Sequence, residues 1–597
     1  MSDRAAYLQA AEQLRGNPGQ WAAYNSRSHC VVLAGPGSGK TKTLATKVAR
    51  ILAEDVREPR GVACITYNNE CARELEDRLA AIGVEPGKRV FIGTVHSFSL
   101  TQIVLPYAKV AGLDLPDNFG VATRMEQQDA LGEAMARTLR EPGNLQDWSF
   151  HIGNYRRSIL NRDSAEWRDT NPEIAKLVEA YEAELRRRGL IDFDDMPLLA
   201  VRALSANPWL QRALLAKYPV LVVDEYQDLG SALHRMVMGL CFSTGMRLFA
   251  VGDVDQSIYG FNGGRPDLLR RLSEREDVET VRLRLNYRSG SRIVAASSVA
   301  LGEERDYEAA DGTAQSTVFI HALHGSYEQQ AARLVNELLP QARARNPRLS
   351  YRDIAVIYPA AWIGDAVASV AQAIGIPIMR TDSNALYPRS SRLMQWLESC
   401  SQWSCGGWRM GKPLFTRLMR DGRRLFAEVI QSDEQIMDFH RRLINTLWES
   451  RDASLSLHRW LDRLRANVIE PLASQSVTLR DEIETLSTFA TRIGPTGDRA
   501  DMLLSEFAGD GEHLDRLTLS TLHSAKGREF GLVFMFGMDS GRLPRNGTGR
   551  RQLAESRRLF YVGFTRAKTE VHLVHTAQRS SVFVDEIELH LDQSPVL

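Results

Sequence analysis

Two stretches of the chain carry residues whose types and spacing can do chemistry. The first runs Ala34-Gly35-Pro36-Gly37-Ser38-Gly39-Lys40-Thr41-Lys42. Glycines let backbone N–H groups curl around phosphate oxygens, and a helix starting at the lysine adds its partial positive charge. This is the P-loop pattern in an alanine-first form. It assigns Lys40 to the β- and γ-phosphates and the Thr41 hydroxyl to Mg²⁺. The second stretch is the apolar run Val220-Leu221-Val222-Val223 followed by Asp224-Glu225-Tyr226-Gln227-Asp228. Carboxylates at the end of an apolar strand need a positive partner. Beside a P-loop that partner is a metal ion plus Lys40, with Asp224 holding the Mg²⁺ shell and Glu225 orienting the attacking water.

Both stretches require a strand that ends in the reactive residues. Cys30 to Leu33 is a short apolar strand before the P-loop. Leu44, Val48, Ile51 and Leu52 then lie on one helical face behind it. Further apolar runs end in polar clusters in "GVACITYNNECARELEDRL" (61–79) and "MRLFAVGDVDQSIYGFNGG" (246–264). Strands alternating with helical patterns predict a mostly parallel sheet with ligands at the carboxyl ends of its strands.

Length and composition bound the rest. A chain of 597 residues exceeds one hydrophobic core and fits roughly four domain-sized units. The apolar fraction of 44% and charged fraction of 25% are those of a folded globular protein. Lysine plus arginine equals aspartate plus glutamate, 74 each, so net charge selects no partner, and a nucleic-acid groove would have to be a local patch. The six cysteines are scattered and read as buried free thiols. No run reaches about 18 uninterrupted apolar residues and the N-terminus lacks a signal-peptide pattern. The expectation is a cytoplasmic protein without a membrane partner.

Taken together, these segments resemble superfamily 1 DNA helicases of the UvrD/Rep/PcrA type. The resemblance runs from about Gln20 to about Glu586, with the motifs in family order. "TYNNECARE" (66–74), "GTVHSF" (93–98) and "LIDFDDM" (190–196) match single-strand-binding motifs, and "DEYQD" (224–228) matches the Mg²⁺ motif. "VGDVDQSIYGF" (251–261), "NYRS" (286–289), "TLHSAKGREF" (521–530) and "RRLFYVGFTRAK" (557–568) complete the set. The resemblance implies ATP and Mg²⁺ as cofactors and single-stranded DNA, including 3′-tailed duplex, as partner. It implies Gln20 reading the adenine edge, Tyr287 stacking on the base, Glu529 in the nucleotide site, Gln256 at the γ-phosphate, and Arg288 and Arg566 as arginine fingers from the opposite lobe. Gln227 then senses the γ-phosphate region or relays to "GDVDQ", and Asp228 braces the loop or pairs with an arginine. On the strand side it implies Tyr67, Asn69, Thr94, His96, Phe193, Tyr259, Phe261, Asn262, His523 and Phe583, the aromatics offering sequence-tolerant base stacking.

The implied fold class is α/β: two RecA-like P-loop motor domains, parallel sheets with helices on both faces, each interrupted by a mainly helical accessory insertion. The boundaries follow from the gaps between motifs: 1–112 and 188–284 for the first motor domain, 113–187 for its accessory domain, 285–395 and 515–597 for the second motor domain, and 396–514 for its shortened accessory domain. Too little sequence follows "GFTRAK" for an appended nuclease domain.

Several positions depart from the family. Asn262 stands where an arginine is usual, "DLGSALHRM" replaces the usual sequence after the Mg²⁺ motif, and Leu285 and Pro359 replace frequent polar residues. The leading reading is an ATP-dependent 3′-to-5′ single-stranded DNA translocase and helicase. The alternatives are a motor subunit serving a separately encoded nuclease in repair or Gabija-like phage defence, and a nucleotide-sensing DNA-binding module with little unwinding. RNA is a further possible substrate.

Overall fold

The computed structural model describes residues 2–84, 89–141, 143–260, 263–476, 478–509 and 515–593. Phe261 and Asn262, both expected at the strand site, lie outside the described residues. In chain order the first lobe begins with β1 (His29–Ala34), β2 (Val62–Thr66) and β3 (Val90–Thr94). Short β4 (Gly120–Val121) and β5 (Leu190–Ile191) pair with each other, and β6 (Val220–Val223), β7 (Arg247–Gly252) and β8 (Val278–Leu283) follow. The six long strands form one parallel sheet in the order β3-β2-β6-β7-β1-β8. Every residue of β2 and of β6 is buried, because helices cover both faces. This is why these strands read as continuous apolar runs and not as alternating ones.

The ribbon of β9 (Leu285–Asn286) and β10 (Glu308–Ala309) opens the second lobe. Strands β11 (Thr317–Leu323), β12 (Ile354–Tyr358), β13 (Ile378–Arg380), β14 (Leu517–Thr521), β15 (Phe530–Phe536) and β16 (Ala567–Thr576) then build a second parallel sheet, ordered β11-β16-β15-β12-β14-β13. Both sheets are six-stranded, and the fold class is the one expected from the sequence.

Two helical segments have cores of their own. Between β4 and β5 the helices Arg124–Thr138, Leu145–Ser158 and Pro172–Arg187 pack around Trp167, Leu177 and Tyr181. Between β13 and β14, helices from Arg392–Gln402 to Leu504–Ala508 enclose Trp396, Phe426, Phe439 and Trp460. This second segment reaches across to the first lobe, where Arg417 and Arg420 pair with Asp77 at 3.0 and 3.1 Å and Arg424 pairs with Glu76.

The first helical segment is keyed to the sheet by a buried ion network. Arg156, 1% exposed, spans Asp192 (2.6 and 3.0 Å) and Asp195 (2.8 Å), with Glu182 at 2.9 Å. The Tyr181 hydroxyl donates to Asp192, and Arg157 holds Asp194 at 3.0 Å. The acidic residues of "DFDD" are thus spent on arginines of the helical segment, which leaves Phe193 pointing outward. Removing one member of a buried ion network exposes the rest as uncompensated charge, at about 3–5 kcal/mol. Arg156→Met is therefore expected to lower the stability of this segment by about 3–5 kcal/mol, measured as the urea concentration at which a protease first cuts within residues 124–187. An unchanged midpoint would show that the network adds nothing to stability.

Candidate nucleotide and strand-binding site

The P-loop follows β1 directly. Gly37 and Gly39 have φ of +65° and +79°, values that glycine adopts without penalty. The loop is also crowded from the second lobe: a Cβ on Gly35 would lie 2.5 Å from the Tyr307 ring, and one on Gly37 would lie 2.3 Å from Asn286 Oδ1. The Ser38 hydroxyl donates to Gly35 O at 2.7 Å, Gln20 Nε2 donates to Ser38 O at 2.9 Å, and Pro36 is buried beneath them. The helix Lys40–Arg50 starts at Gly39 with no side-chain cap, so its first N–H groups present an anion site. Thr41 and Lys42 occupy the half-buried start of this helix, and burial pulls the Lys42 ammonium down from its ordinary pKa.

Lys40 Nζ is buried without a hydrogen-bond acceptor, with only Glu225 Oε1 at 3.7 Å. Arg288 Nε and Asp228 Oδ1 are likewise buried and unpartnered. Buried polar atoms are normally satisfied, so these orphans mark where a polyanion and its counter-ion fit.

The acids sit at the carboxyl ends of β6 and β7. Asp224 N–H donates across to Ile65 O of β2 at 2.8 Å. Glu225 follows with φ +51°, a left-handed conformation that costs a non-glycine residue about 1–3 kcal/mol and persists only where neighbours impose it. Here its N–H donates to Asp224 Oδ1 at 3.0 Å and its Oε2 accepts from Gln227 Nε2. Gln227 Oε1 in turn accepts from Asp253 N–H at 2.9 Å, which physically joins "DEYQD" to "GDVDQ". Burial and the adjacent Glu225 charge push Asp224 up to about 7. Burial also opposes ionisation of Glu225, but Lys40 and Lys526 outweigh it and hold that carboxyl at about 2. Asp228, expected to brace the loop or pair with an arginine, pairs with Lys526 of the second lobe. Tyr226 is packed in the core with its hydroxyl 2.8 Å from His234 Nδ1.

The second lobe delivers its residues from the turn after β9. Asn286 Oδ1 accepts the N–H groups of Arg288 and Ser289 at 2.8 and 2.9 Å, fixing that turn. Tyr287 N–H donates to Gly37 O at 2.8 Å, its hydroxyl accepts from Asn17 Nδ2 at 3.0 Å, and the side chain is 47% exposed. Arg288 is held by Glu529 at 2.5 Å and Thr565 O at 3.2 Å. Arg566 is buried and donates to Gln256 Oε1 at 3.0 Å, while Gln256 Nε2 donates to Asp253 Oδ2 at 2.5 Å. Burial and the nearby Arg288 pull the Arg566 guanidinium down to about 9, so it still carries charge at neutral pH. Residues of both lobes thus meet around the P-loop and the acids, with Tyr287 against Gly37, Arg566 against Gln256 and Lys526 against Asp228, while Ala34 is a core residue of β1.

Three side chains in this cleft escaped the sequence reading. Tyr307 covers Gly35, Arg305 holds Asp255 through two contacts of 2.7 Å, and Lys526 reaches both Asp228 and, at 2.5 Å, Gln256 O. Arg305 and Tyr307 lie in "GEERDYEAADG", where no local pattern marks them. Lys526 stands inside "TLHSAKGREF", and its charge opposite the acids was the available signal.

On the neighbouring face Tyr67 and Tyr259 stack on each other, with centroids 4.5 Å apart and planes at 24°. Lys526 Nζ lies 5.2 Å from the Tyr259 ring centroid, and the Tyr259 hydroxyl donates to His523 O at 3.4 Å. His96 meets the 43%-exposed Phe193 edge-on at 6.0 Å. A cavity of about 1790 Å³ opens here, lined by Asn69, Thr94, His96, Phe193, Tyr259 and His523 and, from the second helical segment, by Arg392 and Arg423. Thr94 also caps the helix Val95–Phe98 through Ser97 N–H, and Asn69 Nδ2 reaches Ser390 O at 3.5 Å. Burial lowers both histidines, His523 to about 4 with help from Arg545 and Lys526, so both are neutral at pH 7 and offer hydrogen bonds without charge. Phe583 does not belong to this face. It is fully buried on the helix Val582–Gln593 against Phe560, centroids 5.5 Å apart, and is a core aromatic.

The chain matches known proteins along the same two lobes. Residues 16–277 match the UvrD/REP helicase N-terminal domain and residues 499–578 the UvrD-like helicase C-terminal domain, together more than half of the chain. It is 26% identical to the ATP-dependent DNA helicase Rep of Escherichia coli (strain K12), over 94% of this chain and 90% of that protein. It is 25% identical to the ATP-dependent DNA helicase PcrA of Leuconostoc citreum, over 94% of this chain and 81% of that protein. With P-loop, acid pair and cross-lobe arginines converging in one cleft, the chain belongs to the UvrD/Rep family of superfamily 1 helicases.

Proposed function

We propose that the chain is an ATP-dependent motor that moves 3′ to 5′ along single-stranded DNA and opens 3′-tailed duplex. The observation that carries this reading is Lys526, which touches Asp228 and Gln256 O in the nucleotide cleft while its ammonium lies over the ring of Tyr259. A single side chain thereby belongs to both the ATP site and the base-stacking face. The resemblance to Rep and PcrA supplies the polarity.

In this reading Lys40, the P-loop N–H groups and the open helix start hold the phosphates. Asp224 and Thr41 hold Mg²⁺. Bound Mg·ATP supplies the phosphoanhydride bond whose hydrolysis drives movement. Glu225, kept ionised by Lys40 and Lys526, takes a proton from the attacking water, and Gln256 orients that water. Arg288 and Arg566 turn from Glu529 and Gln256 toward the γ-phosphate, a contribution worth ~10³–10⁵ in rate. As both arginines come from the second lobe, turnover requires the lobes to stay closed. Tyr67, Tyr259 and Phe193 stack bases without reading sequence, at ~1–3 kcal/mol per base.

Two outcomes test this. ATP hydrolysis by the wild type is expected to rise on adding single-stranded DNA and to fall about 10²–10⁴-fold in Glu225→Gln. Equal rates with and without DNA, or greater stimulation by RNA of the same sequence, would contradict the assignment. Lys526→Met is expected to lower DNA-stimulated kcat at least ~10-fold, the equivalent of 1.4 kcal/mol, with KM for ATP within about two-fold. A variant that hydrolyses ATP at the wild-type rate on DNA would remove Lys526 from the coupling path.

A further inference from the structure

Lys47 is a buried cation that the mechanism above does not use. It lies on the helix Lys40–Arg50, two turns beyond the P-loop, and is 2% exposed. Its Nζ donates to Tyr24 O at 2.9 Å and to Ser26 O, and sits 5.5 Å from the Phe249 ring centroid. Arg50, one turn further and 6% exposed, donates to the same Tyr24 O at 2.5 Å and to Asn25 Oδ1 at 3.3 Å, and its guanidinium lies over the Tyr24 ring at 4.9 Å. Both cations therefore converge on the carboxyl end of one helix, Pro18–Asn25. The last carbonyls of a helix lack intrahelical partners and carry partial negative charge, so cations placed there are favourable.

The other end of that helix meets the P-loop. Asn17 caps it by accepting from Gln20 N–H at 3.1 Å and also donates to the Tyr287 hydroxyl. Gln20 donates from Nε2 to Ser38 O of the P-loop. With one Nε2 hydrogen so engaged, Gln20 can offer a base its acceptor Oε1 beside the one remaining N–H. An acceptor at that point pairs with an exocyclic amine and is repelled by a carbonyl oxygen, which separates a 6-amino purine from a 6-oxo purine. A glutamine on a helix of eight residues keeps this register only if the helix cannot slide relative to the phosphate loop. Its own contacts with the P-loop are one hydrogen bond at one end; the opposite end is fixed by Lys47 and Arg50.

We infer that Lys47 and Arg50 are positioning residues for nucleobase selectivity, tying the Gln20 helix to the phosphate-binding helix so that base and phosphates are read in one rigid frame. The inference rests on the assignment of Gln20 as the base reader. A phosphate-only contact survives loss of the anchor, whereas a base contact does not.

The test compares wild type, Gln20→Ala, Lys47→Met and Arg50→Gln as ATPases and GTPases at saturating oligo-dT, reading KM and kcat separately. Lys47→Met keeps a stem of similar length against Phe249 and removes the ammonium. It is expected to raise KM for ATP about 10-fold, the equivalent of 1.4 kcal/mol, while leaving KM for GTP and both kcat values within about two-fold. Gln20→Ala is expected to collapse the ATP-to-GTP preference in the same way, and Arg50→Gln to do so in part. A general structural defect would move both nucleotides together, so equal losses for ATP and GTP in Lys47→Met overturn the inference. A collapsed preference in Gln20→Ala with wild-type preference in Lys47→Met and Arg50→Gln also overturns it while sparing the Gln20 assignment. Unchanged preference in Gln20→Ala overturns that assignment and the inference with it. Should Lys47→Met fail to fold, Arg50→Gln carries the same comparison alone.

Discussion

Asp224, Glu225, Asp228 and Asp253 converge where β6 and β7 end, and the cations that balance them come from both lobes. Lys40 stands in the first lobe, while Lys526 and Arg566 reach over from the second. Buried acids are unfavourable without compensation, and across the lobes Lys526 meets Asp228 while Arg566 meets Gln256. In the proposed mechanism a bound polyphosphate alters that balance, because it would draw on Lys40, Arg288 and Arg566 at once. The contacts that hold the lobes together are thus the ones the substrate must rearrange.

Closure is carried by a small rigid element. The β9–β10 ribbon brings Tyr287 and Arg288 from one strand, and the segment leading into the other strand brings Arg305 and Tyr307. These four touch the P-loop, its neighbouring helix or "GDVDQ". Gln227 ties that last motif to "DEYQD" through Asp253 N–H. The residue held among acids at the end of an apolar strand is therefore a brace between two phosphate-facing loops. It is fully buried and reaches both loops with one amide.

The fold and the nucleotide cleft were legible in the sequence because their signals are local. A strand, a glycine turn, a Lys-Thr pair and a helix occupy adjacent positions, and parallel strands covered on both faces leave unbroken apolar runs. What stayed hidden is long-range. Lys526 meets Asp228 across 298 positions, and Arg305 and Tyr307 sit in an ordinary acidic stretch. In "DFDD" the aspartates are held by Arg156 and Arg157 of the helical segment, a long-range pairing, while Phe193 faces the cavity. Phe583 was implied only by the family resemblance; its apolar neighbours Val584 and Ile587 are buried with it, and burial is the commoner fate of such an aromatic. Nothing in the sequence around Lys47 marks it, and only packing shows its ammonium against carbonyls of Tyr24 and Ser26.

The central claim is that hydrolysis in the cleft moves the chain along a strand by way of the base-stacking face. Translocation kinetics on oligo-dT of increasing length, with a fluorophore at one end, test it most directly. After ATP is added to prebound protein, the account predicts a signal lag that grows linearly with length when the dye is at the 5′ end, and none when it is at the 3′ end. A lag independent of length at both ends, with ATP still being hydrolysed, would contradict it.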